Sequence, residues 1–241
     1  APVQGASGEG VPSADGQDLK RALAAAIRSA GIRPGKATLL VPDSLARVWL
    51  LQFPEIPRGS QAVHDMIRWK IRKSVPFRIE EGSISWQVLA RPSGKEPAVV
   101  LVGLIPRAPI VQYEALMGAL GLKVGLVDLS TFNLYNAYRR TITNGGAHAK
   151  DFAVLNATES YFTLMLFRGA ELIFYRCKSH AEGEGGSSAE RVRTVRRELA
   201  TSLSYYTEKL KGAALARTIA RIADPALVDA DENLQVLGFG A

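Results

Sequence analysis

The sequence predicts an α/β protein folded as two lobes, and three features carry that reading. Helical spacing alternates with short apolar runs through the first half of the chain. A polar stretch, RRTITNGGAHAK, then interrupts the pattern, and three closely spaced β-rich runs followed by one long helix come after it. Alternating helices and buried strands are the sequence form of a layered α/β domain. A polar, glycine-containing stretch is where such domains are joined. The 241 residues are 47% apolar and 22% charged, enough to bury a core and too apolar for a disordered chain.

In chain order, APVQGASGEGVP reads as a polar linker. Ser13 or Asp15 is placed to cap a helix with Leu19, Leu23, Ile27 and Ala30 on one stripe, and Gly31 to end it. Residues 37–41, stopped by Pro42 and Asp43, are short and continuously apolar, which predicts a strand buried on both faces. Residues 46–53 are β-rich, and PEIPRGS after them is a loop because proline donates no ladder hydrogen bond. Ser60 is placed to cap the next helix, whose Val63, Met66, Ile67 and Ile71 form an apolar face, and Pro76 ends it by Ser74.

Residues 83–90 alternate Ile84, Trp86 and Val88 with polar neighbours, the mark of a half-buried strand. A strand at 98–104, a helix at 109–120 closed by Gly121 and a strand at 124–129 follow, then a helix capped by Asp128 or Ser130. Beyond the polar stretch, runs at 152–155, 161–167 and 171–177 predict a β-meander turning at Arg168 and Gly169. The helix at 189–211 carries Val192, Val195, Leu199, Leu203 and Tyr206 on one stripe.

Composition excludes several function classes. One cysteine, Cys177, forms no internal disulfide and builds no cysteine-based zinc site, and His64, His148 and His180 stand apart from other ligand residues. No phosphate loop of the GxxxxGK[ST] type and no GxSxG elbow occurs. No apolar run is long enough to span a bilayer and the first residues lack a signal pattern, so the sequence reads as that of a cytoplasmic protein. The net charge of +7 suits an anionic partner, yet no nucleic-acid reading motif accompanies it.

Two basic clusters stand out. Arg68, Lys70, Arg72 and Lys73 surround Trp69 on the second helix, where the plainer account is a solvated face with Trp69 buried against the strand SISWQVLA. Arg191, Arg193, Arg196 and Arg197 open the long helix, where the macrodipole disfavours cations, a mild sign of an anionic partner.

The order of segments is more specific than any one of them. VPDSLARVWLLQFPEIP, a helix ending KSVPF, and ISWQVL come first. VLVGLIPRAPIVQYEALMGALGLKVGLVDLSTFNLYNAY comes next, then DFAVLNATESYFTLMLFRGAELIFYR and a helix with RRELATSLSYYTEKLKG. Together they resemble the PilM family of type IV pilus assembly proteins over roughly residues 13–211. FtsA and the cytoplasmic part of GspL are similar.

The resemblance implies an actin-like, RNase H-like fold. Lobe one would run over 13–144 with an inserted subdomain at about 44–90, and lobe two over 150–241. It implies a cytoplasmic scaffold at an inner-membrane assembly platform that binds the N-terminal peptide of a PilN-like membrane protein, with the pilus motor ATPase as a further partner.

ATP and Mg²⁺ would be the cofactors of such a fold, held by Asp-x-Gly hairpins. Here Asn156 and Ala157 stand where Asp and Gly are expected, with Thr158 as a remaining phosphate contact, so little or no hydrolysis is expected. A nucleotide-switched ATPase and a polyanion-binding module are the alternatives. For the peptide, Trp49, Leu51, Phe53, Trp69 and Phe77 are the candidate groove residues, being more large apolar side chains than a small insertion needs for one face.

Overall fold

The computed structural model describes residues 16–144, 150–180 and 187–228, so the expected cap at Ser13 or Asp15 lies outside the described residues. The backbone forms three sheets. β1 (Gly35–Val41) pairs in parallel with β5 (Leu122–Leu129). β2 (Arg47–Phe53), β3 (Gly82–Ala90) and β4 (Ala98–Pro106) form an antiparallel sheet in the order β2-β4-β3. β6 (Asp151–Ala157), β7 (Tyr161–Arg168), β8 (Glu171–Ser179) and β9 (Arg217–Ile222) form the third in the order β8-β7-β6-β9, with β9 parallel to β6. The helices are α1 (Gly16–Ser29), α2 (Ser60–Ile71), α3 (Arg107–Gly118), α4 (Ser130–Asn144), α5 (Ser188–Glu208) and the short α6 (Pro225–Val228).

Period-two alternation sorts the antiparallel sheet into two faces. Val100, Val102 and Leu104 of β4 turn towards Val63, Ile67 and Ile71 of α2, with Trp49, Leu51, Phe53, Ile84, Trp86 and Val88 packed around them. The opposite face carries Leu50, Leu89 and Leu101, which pack against Phe152, Val154, Met165 and Phe167 of the four-stranded sheet. The four-stranded sheet is covered on its other side by Val195, Leu199 and Tyr206 of α5, so nearly all of β7 is buried. A sheet wrapped on both faces reads as a continuous apolar run, as YFTLMLF does.

Four local expectations change. β1 is largely exposed, with Leu40 at 46%, because among the described residues it pairs with β5 alone and nothing covers much of either face. Ser60 is the first helical residue of α2; the cap is Gly59, whose φ of 93° provides the turn that a side-chain cap would otherwise support, and no side-chain hydrogen bond caps the helix. Trp69 does not lie against β3 but is 67% exposed, because Ile67 and Ile71 already face the sheet and Trp69 lies on the far side of the helix. The sheet holding β2 and β3 reaches past the expected insertion at 44–90, since β4 is its middle strand.

Candidate functional site

A cleft of about 680 Å³ opens between the antiparallel sheet, α3, α4 and the four-stranded sheet. Its floor is the face of the antiparallel sheet turned away from α2: Val48 of β2, Gly103 and Ile105 of β4, and Ser83, Ser85 and Gln87 of β3. Gly103 sits directly across from Val48 and Ser85, and a Cβ added there would meet no atom within 4 Å. The small residue is what leaves the floor deep. Ile110 and Glu114 of α3, Asp128 of β5, and Phe132, Tyr135 and Arg139 of α4 form the walls. Met165, Phe167 and Leu172 close the far end.

An aromatic stack holds that end in place. Phe167 lies 4.4 Å from the Tyr135 ring at 14° and 4.7 Å from the Phe152 ring at 3°, joining α4 to the four-stranded sheet. Burial raises the Tyr135 phenol pKa, so the group is neutral at physiological pH.

The expected groove residues do not line this cleft. Trp49, Leu51, Phe53 and Phe77 pack into the core between α2 and the antiparallel sheet, Trp69 faces solvent, and none of the five lines the cleft. The reason is parity: large residues at 49, 51 and 53 share one face of β2, and that face belongs to α2. Small or slender residues on the other face leave room for a ligand.

Asn156, Ala157 and Thr158 do come together at the end of β6, and each is already engaged. Asn156, 1% exposed, donates its amide to Thr131 Oγ1 at 3.0 Å and to the Tyr161 hydroxyl at 3.4 Å. Its carbonyl accepts from Arg221 at 2.9 Å. The Thr158 hydroxyl donates to the Tyr161 carbonyl at 2.9 Å and accepts from the backbone N–H groups of Ser160 and Tyr161, while its own N–H goes to the Tyr161 carbonyl. A phosphate hairpin works by leaving such N–H groups free and by offering a carboxylate to the metal. These residues do not fit a magnesium nucleotide.

Asp43 extends the same network. It is fully buried and accepts from the Thr131 N–H at 3.1 Å and from the Thr131 hydroxyl, so it caps the first turn of α4 from 88 residues away. Burial raises its pKa, partly opposed by the Thr131 bonds. Ser130 adds a bond to the Val41 carbonyl at 2.9 Å.

The basic start of α5 also has an internal partner. Arg191 donates to both oxygens of the buried Asp224, at 2.9 and 3.2 Å, and these bonds hold the Asp224 pKa below the ordinary carboxylate value. The buried His180 lies beside the Phe162 ring, and burial lowers its pKa from 6.5. The unfolded chain therefore binds a proton near pH 6.5 that the folded chain refuses, and stability falls as pH drops through that value. Urea unfolding of the wild type should show a falling midpoint from pH 7.5 to 5.5, and His180→Leu should flatten it. An unchanged slope in the variant would assign the effect to another group.

No model of a protein family matches the sequence, and no curated protein matches it. Solved structures do match. The fold is of the actin-like class, and two of them cover most of this chain. Over 98% of this chain and 86% of the other, it superposes on a structure of the PilM-PilN type IV pilus biogenesis complex with a TM-score of 0.71 at 15% identity. Over 84% of this chain and 68% of the other, it superposes on the cytoplasmic domain of EpsL from Vibrio cholerae, an inner-membrane component of the type II secretion system, with a TM-score of 0.50 at 14% identity. A Bacteroides thetaiotaomicron protein with an actin-like ATPase fold aligns at 0.48 and 6% identity. The chain thus has the actin-like fold in the form found in the PilM-PilN complex. Among the described residues no helix is long and apolar enough to cross a membrane.

Proposed function

We propose that the protein is a cytoplasmic scaffold that captures an extended peptide, the N-terminal segment of a PilN-like inner-membrane protein, in the cleft above Gly103. The observation that carries this reading is the cleft itself: an open floor that sets Val48, Gly103 and Ile105 beside the polar Ser83, Ser85 and Gln87, of a size suited to a few side chains. β3 borders it as an edge strand, pairing with β4 alone among the described residues, so its outer N–H and C=O groups are available for strand addition. The likeness to a PilM-PilN complex supports a PilN-like partner, and the likeness to cytoplasmic EpsL supports a place at an inner-membrane assembly platform. Calorimetric titration with the N-terminal peptide of the PilN-like protein tests the reading. Saturable binding at micromolar peptide is the expected result; no heat at tens-of-micromolar peptide, on the order of 6–7 kcal/mol of binding free energy, would overturn it.

Nucleotide hydrolysis forms no part of this function. The N–H groups of Thr158, Ser160 and Tyr161 are bonded within the hairpin and Asn156 supplies no metal-positioning charge. ATP with Mg²⁺ should give neither heat nor phosphate release, and turnover that disappears in Thr158→Ala would restore the nucleotide-switched reading.

A further inference from the structure

We infer that the outward face of α2 is a docking surface for an anionic lipid bilayer. Val63, Ile67 and Ile71 point α2 into the antiparallel sheet. Trp69 stands two residues from Ile67, which at about 100° per residue places it on the opposite side of the helix. At 67% it is the most exposed large apolar side chain among the described residues, and it belongs to neither the core nor the cleft lining.

Cations surround it. Arg68 is paired with Glu80, whereas Lys70, Arg72 and Lys73 are exposed and form no ion pair among the described residues. From residue 58 to 78 the sequence holds six Arg or Lys against one acid, Asp65, with Glu80, the partner of Arg68, and Glu81 following. The surface is a convex helix flank, with one amphipathic ring set among cations.

That combination fits a headgroup layer better than other anionic partners. An indole ring is favoured at the depth where headgroups meet acyl chains, with lysine and arginine reaching the phosphates around it. Single-stranded nucleic acid is held by successive aromatic platforms, and Trp69 has no exposed aromatic neighbour on α2. Protein interfaces bury their aromatic anchors in pockets and are depleted in lysine. Here Trp69 is not part of the cleft lining, and two of the three unpaired cations are lysines. The inference does not depend on what the cleft holds.

Vesicle co-sedimentation tests it, using pure phosphatidylcholine and phosphatidylcholine mixed with phosphatidylglycerol. The protein is expected to sediment with the mixed vesicles and not the neutral ones, less so as salt is raised, with a blue shift of tryptophan emission that Trp69→Ala removes. The triple variant Lys70→Gln, Arg72→Gln, Lys73→Gln should lose on the order of a hundredfold in affinity, since each cation near an anionic surface contributes on the order of fivefold. Trp69→Ala should weaken binding and, like the triple variant, leave the melting temperature unchanged, because all four side chains are exposed. No sedimentation with mixed vesicles at low salt, or equal sedimentation of wild type and both variants, would overturn the inference. So would a DNA gel shift, or binding of an acidic peptide, that depends on these residues while vesicles remain unbound.

Discussion

Phe167→Ala is expected to lower the free energy of unfolding by about 3–5 kcal/mol, the largest loss of any single core truncation proposed for this chain. The ring is 2% exposed and stacks on Phe152 in its own sheet and on Tyr135 of α4, so its removal leaves a void where three elements meet. Leu50, Leu89 and Leu101 of the antiparallel sheet pack against the same cluster and cannot collapse into the gap without dragging their strands. Urea unfolding followed by circular dichroism measures the loss. A change below about 1 kcal/mol would mean that the stack does not tie α4 to the four-stranded sheet. Trp69→Ala, a comparable truncation at an exposed position, should stay within about 0.5 kcal/mol in the same experiment.

Gly103→Leu is expected to abolish peptide capture while leaving the fold intact. The added Cβ meets nothing within 4 Å, so the leucine side chain extends from the cleft floor into the space a ligand would use. A glycine inside a strand also weakens it, by roughly 0.5–1 kcal/mol, so the variant should be no less stable than wild type. Affinity for the PilN-like peptide should fall at least about tenfold, some 1.4 kcal/mol. Full-affinity binding by a folded Gly103→Leu protein would place the peptide elsewhere.

Much of this architecture is legible in the sequence because its signals are local. Alternation in SISWQVLA, the unbroken apolar run in YFTLMLF and the stripe of Val195, Leu199 and Tyr206 each name an element and the face it buries. The site is less legible because it is defined by space rather than by side chains. Trp49, Leu51 and Phe53 stand out by size, yet size is what a helix-facing core needs; Val48, Gly103 and Ser85, which form the cleft floor, are inconspicuous.

Long-range pairs were hidden for a different reason. Asp43 reads as the residue that stops a strand, and nothing near it in sequence shows that Thr131 awaits its carboxylate. Arg191 looks misplaced at a helix start until Asp224, 33 residues later, is folded against it. β1 is less buried than its apolar run predicts, because such a run states only that a strand is suited to burial and the covering layers are a property of the whole fold.

The central claim, that the cleft and not the aromatic face of β2 seats the peptide, turns on neighbouring positions of one strand. Val48 faces the cleft and Trp49 faces α2. With the photoreactive benzoylphenylalanine in place of one or the other, irradiation in the presence of the PilN-like N-terminal peptide should cross-link the peptide through position 48 and not through position 49. Cross-linking through 49 with none through 48, in proteins that keep wild-type circular dichroism, would contradict the account.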